Sequence, residues 1–131
     1  MKRLTVTMVL LSAFAFMIVS SAYSQSNPIF VDDVDVNAIE NLEFVSVIIV
    51  GKGLGTKSKV IVDYGQKLNW ASLGNPKIRN TKGGEVKSFN GGIDALNFFY
   101  LNGWDFVTQT QVSLGITDEI GFVFLLRKMR K

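Results

Sequence analysis

The sequence predicts an α+β domain of two layers, a four-stranded antiparallel sheet with one packed helix in β-β-α-β-β order. Three observations predict it. Two runs dense in β-branched residues, Glu43 to Val50 and Lys59 to Tyr64, are joined by a short glycine-rich link. A single helical stretch, Ile93 to Leu101, follows a region broken by Gly, Asn and Pro. Two more extended runs, Asp105 to Val112 and Ile120 to Leu126, close the chain. One helix laid over an antiparallel sheet is a stable two-layer solution, because each element buries one apolar side.

The first segment reads as an address. Lys2 and Arg3 precede an apolar run from Met8 to Val19, and Ala22-Tyr23-Ser24 then places small residues three and one before a cut. That is the pattern of a secretory signal peptide over residues 1–24, leaving Gln25 first in the mature protein. The alternative is an uncleaved anchor, since Leu4 to Ala22 is just long enough to span a bilayer. The remaining 107 residues carry 12 basic and 11 acidic side chains, a net charge of +1, which offers no concentrated positive face for nucleic acid. The expected setting is therefore the periplasm or the cell exterior.

Missing residue types exclude more chemistry than the present ones suggest. With no cysteine there is no disulfide framework and no thiolate nucleophile. With no histidine there is no imidazole base and no common zinc site. No cofactor is implied, and catalysis is not expected.

Residues 25–42 read as an N-terminal tether, with an edge strand or helical turn near Val36 to Leu42, and residues 43–131 as the single domain. Within it, Glu43 to Val50 predicts a strand covered on both faces. The Gly-rich link from Gly51 to Lys57 predicts a hairpin turn. In the second strand Val60, Val62 and Tyr64 share one face and Lys59, Ile61 and Asp63 the other. Residues 66–90 give no regular pattern, although Lys77 to Arg79 or Glu85 to Phe89 could add short extended pieces.

In the helix, Ile93, Leu96 and Tyr100 form the expected buried stripe, widened by Ala95 and Phe99. Asn90 is the expected N-cap, and Asp94 lies in the first turn where the helix dipole favours an acid. Asn102-Gly103 supplies the stop, and Trp104 follows where an aromatic ring can fold back onto Phe99. Gly103, Trp104 and Phe99 are thus expected to be structural. The final strand sets Ile120, Phe122, Phe124 and Leu126 in one row.

Asp94-Ala95-Leu96-Asn97, then Asn102-Gly103-Trp104-Asp105-Phe106-Val107, then a strand ending Leu125-Leu126-Arg127-Lys128 resembles a group of small exported bacterial proteins of unknown function. Their signature runs ALN…GW(E/D)-hydrophobic-V, and the resemblance covers roughly residues 43–131. It implies a compact helix-on-sheet domain and brings no activity, substrate or catalytic residue.

Four constellations bear on chemistry. Gly51 followed by Thr56-Lys57-Ser58 approaches a phosphate loop, but glycine is missing at Thr56 and a strand, not a helix, follows. Asp33-x-Asp35-x-Asn37 opens like a calcium loop, yet Ala38 replaces the turning glycine and Phe44 the closing carboxylate; weak calcium binding at Asp32, Asp33 and Asp35 stays open. Asp63 beside Tyr64, or Asp94 with Asp105, would be the acids of a carboxylate-dependent hydrolase, the second reading. Tyr64, Gln66 and Trp70 make the candidate ligand platform, since flat rings beside amides suit a peptide or a glycan. The leading expectation is an exported, noncatalytic module that binds a protein, peptide or glycan of the cell envelope. A structural module assembling through a sheet edge or apolar face is the third reading.

Overall fold

The computed structural model describes residues 26–51, 57–68, 76–113 and 120–130. The leader, Trp70, most of the Gly-rich link and residues 114–119 between the last two extended runs lie outside the described residues. The chain is mixed α+β and antiparallel. Its larger sheet is built from β3 (Phe44–Val50), β4 (Lys59–Asp63), β6 (Trp104–Ser113) and β7 (Ile120–Lys128), in the order β4-β3-β7-β6. The helix α1 spans Gly92–Leu101.

The expected β-β-α-β-β order needs correction, because a second sheet is present. β1 (Phe30–Val31), β2 (Val34–Asp35) and β5 (Ile78–Arg79) form a three-stranded sheet ordered β2-β1-β5. Each strand is two residues long, too short for an alternating pattern to stand out from its neighbours. β1 and β2 join through Asp32-Asp33, with Asp32 at φ +55°. A short polar side chain tolerates that left-handed turn conformation better than most.

This small sheet corrects a second expectation. Ile29, Val31 and Val36 are buried at 0, 2 and 0% exposure and belong to the main core. The segment read as a loose tether therefore packs inside. Ile78 and Phe89 join the same core from the stretch that showed no pattern in sequence.

In the larger sheet, cross-strand pairs fix the faces. Val47 lies opposite both Val62 and Phe124, and Val45 lies opposite Leu126, so these side chains share the helix-facing side. Ile48 pairs with Ile61 on the other side, and both are buried. β3 and β4 are thus covered on both faces at their centres, which explains their unbroken β-branched runs.

The helix buries Ala95 and Phe99, the expected flank of the stripe, together with Phe98, and not Ile93 or Tyr100 at its expected centre. Ile93 is 72% exposed and Tyr100 59%, while Leu96 is partly buried. Seven of the ten helical residues are apolar or aromatic, so spacing alone does not choose a face. Packing chooses it: Gly92 lies against Ile49, and Phe98 meets Phe89 edge to face at 5.5 Å. The N-cap is Gly91, not Asn90, with no side-chain cap bond. Instead the Asn90 N–H donates to Asp94 Oδ2 at 3.0 Å, so the first-turn acid closes the helix start. At the other end Gly103 takes φ +94°, and its N–H donates to the Tyr100 carbonyl. That conformation costs any residue with a Cβ about 1–2 kcal/mol.

Candidate docking groove

The helix is shorter than the sheet it covers. The row along β7 passes from buried Leu126 and Phe124 to Phe122 and Ile120, which are 37% and 49% exposed. Beyond the helix start this row is open among the described residues. Ile49, Ile93, Ile120, Phe122 and Phe124, with Gln109 beside them, line a groove of about 490 Å³. Its size suits a few apolar side chains. Ile93 belongs there because it stands on the second apolar side of α1, turned from the core toward β7 and β6.

β6 supplies the groove's polar edge through a change of phase. Phe106 pairs with Leu126, but Thr108 pairs with Leu125, leaving Val107 in a bulge. Past the bulge Gln109 and Gln111 stand opposite Phe124 and Phe122 on the helix side. Thr108, Thr110 and Val112 face away. This break produces the mixed face that the sequence of β6 displays.

The end of α1 is held by a polar hub at Asn37. The Trp104 indole N–H donates to Asn37 Oδ1 at 2.7 Å, and Asn37 Nδ2 donates to the Asn102 carbonyl at 3.0 Å and the Asn27 carbonyl at 2.6 Å. Lys128 Nζ donates to the Asn37 and Ile39 carbonyls and lies 5.5 Å from the centre of the Trp104 ring. Trp104 and Phe99 are 1% and 0% exposed. The N-terminal segment is therefore sewn to the helix stop and to the last strand.

Of the sequence-derived platform, Tyr64 and Gln66 are described and Trp70 lies outside the described residues. Tyr64 packs on the core, and Gln66 folds back on its own strand, accepting from the Tyr64 N–H and donating to the Val62 carbonyl, both at 2.7 Å. Asp63 Oδ1 accepts from the Gly65 N–H, an ordinary strand-end turn. Asp94 lies in the first turn of α1 and Asp105 on β6 past its last turn, with about 10 Å of helix between them along the axis. Asp32 and Asp35 are engaged by backbone: Asp32 Oδ1 accepts from Lys77, and Asp35 Oδ1 from Ile29 and Asn37. Among the described residues no group of three or more acidic side chains is placed to hold a metal.

A second concavity, about 240 Å³, carries Lys57, Lys59 and Lys87 above Val60, Ile78 and Phe89. The Gly-rich link leads from β3 into antiparallel β4, with Val50 opposite Lys59, so no helix start stands at Lys57 to receive a phosphate. Lys87 Nζ sits 5.7 and 5.4 Å from the Phe89 and Phe98 ring centres, bound to the core's aromatic cluster.

The groove residues escaped sequence reasoning, though one signal was present. A helix apolar at seven of ten positions has more nonpolar surface than one stripe can bury. Among the described residues no helix is long and apolar enough to cross a membrane. No family model matches the chain, and no curated protein and no solved structure matches it.

Proposed function

We propose that this chain is an exported, noncatalytic binding module, and that the groove between α1 and β7 takes an apolar stretch of a protein or peptide partner in the cell envelope. The observation that carries the reading is the uncovered row of Ile93, Ile120 and Phe122 beside buried Phe124. Contiguous exposed apolar surface costs solubility and is kept where something covers it. An apolar floor with one amide, Gln109, and one hydroxyl, Ser58, at its side favours aliphatic or aromatic side chains over a sugar, whose hydroxyls need several fixed partners.

Fluorescence polarisation against a panel of labelled apolar peptides tests it. Ile93→Asp is expected to weaken the best binder at least tenfold, because burying one aliphatic side chain contributes about 1.5–3 kcal/mol. The thermal midpoint stays within about a degree or two, since Ile93 is mostly exposed. Equal binding by both proteins, or cleavage of a peptide, overturns the reading. Export rests on the leader, and mass spectrometry of exported material is expected to find Gln25 as the first residue; an intact Met1 to Ser24 segment overturns that part.

A further inference from the structure

β6 is an outer strand of the larger sheet and runs for ten residues. From Phe106 to Ser113 it carries no charge, no proline and no glycine. Outer strands are usually defended by such residues, by a bulge or by a covering segment, because their free N–H and C=O groups template further pairing. The opposite edge is defended: β4 is bounded by Lys59 and Asp63, and Ser58 beside it bridges to Phe89. On β6 the charge of Asp105 and the bulge at Val107 both lie at its start, which leaves Thr108 to Ser113 regular and without such a device among the described residues. Among the described residues no loop backbone bonds to this stretch.

We infer that β6 pairs antiparallel with β6 of a second copy of this chain, about a two-fold axis through Thr110, giving one eight-stranded sheet. The register follows from the faces. A two-fold perpendicular to the sheet keeps each face on its own side, and directly opposed residues share a face. Centring on Thr110 sets Thr110 against itself, Thr108 against Val112, and Gln109 against Gln111. Every pair then joins like chemistry: β-branched side chains on one face, amide on amide on the other. Centring on Gln109 would bring the bulged Val107 into the ladder, and centring on Gln111 would set Gln109 against Ser113.

Charge permits this partner. Asp105, the nearest charge on the strand, lies five residues from the axis, so the two copies' Asp105 side chains stand about 33 Å apart. The same symmetry puts both helices on one side of the joined sheet, with the two grooves opening in the same direction. The pairing uses backbone at the edge and does not depend on what the groove binds.

The absence of cysteine makes the test direct. Cα atoms opposed across an antiparallel pair lie about 4.5–5.5 Å apart, within the range a disulfide spans. Under mild oxidation Thr110→Cys is expected to give a reducible covalent dimer. Thr108→Cys, whose two copies would sit four residues apart at about 13 Å, is expected to give none. Light scattering should return twice the chain mass for the unmodified protein and the single mass for Thr110→Lys, which sets two ammonium groups face to face. A protein that stays monomeric at about 100 μM, or cross-linking equally efficient from both positions, overturns the inference. So does a monomer that instead takes an extended peptide of another sequence along β6. A monomer whose apolar-peptide binding still depends on Ile93 would refute the pairing and leave the groove reading intact.

Discussion

Trp104→Ala is expected to lower the unfolding free energy by about 4 kcal/mol, read from urea titration followed by circular dichroism. Trp104 is the largest fully buried side chain in the described core, at 1% exposure. Truncation removes on the order of 200 Å² of buried aromatic surface and leaves a void between the helix stop and the last strand. It also strands Asn37 Oδ1, whose 2.7 Å bond from the indole N–H has no replacement donor. Trp104→Phe separates the two terms. It keeps most of the ring and loses the donor, so the expected cost falls to about 1–2 kcal/mol. If Trp104→Ala and Trp104→Phe cost the same small amount, the hub at Asn37 has no part in holding the fold.

The second large effect lies in a segment whose sequence gives no warning of it. Ile29→Ala is expected to cost about 3 kcal/mol in the same titration, within the range for a fully enclosed aliphatic side chain. Ile29 is 0% exposed, its carbonyl accepts from the Val36 N–H and its own N–H donates to Asp35 Oδ1. A flexible lead-in would give no measurable change on the same substitution. An unaltered midpoint for Ile29→Ala would return residues 26–36 to the role of a tether.

The long elements were legible because their signals repeat. Phe44 to Val50 holds enough β-branched residues to declare a strand buried on both faces, Lys59 to Asp63 enough to declare a strand, and Asn102-Gly103 marks the helix end. Phe30-Val31 was illegible as a strand because two residues are too short to show a period, and Ile78-Arg79 showed only as one of two candidate extended pieces, Lys77 to Arg79. Their place in the core is settled by distant partners, such as Asp32 with Lys77, 45 residues away. The helix face was misread for a different reason: with apolar residues on two sides, Ile93 and Tyr100 fit a stripe as well as Ala95 and Phe98 do. That hid the groove, since Ile93, expected inside, lines it. Tyr64 and Gln66, named for recognition, also close a strand through the Gln66 amide.

Val107 has a consequence for how this strand tolerates length change. It is the surplus residue between two pairs, Phe106 with Leu126 and Thr108 with Leu125. A chain shortened by this one residue would keep all the downstream partners and inward or outward settings, so the deletion is silent in the ladder. What would vanish is the local kink and added twist that such an insertion imposes. The straightened border would offer a longer uninterrupted template, and a shorter gene would encode a stickier protein.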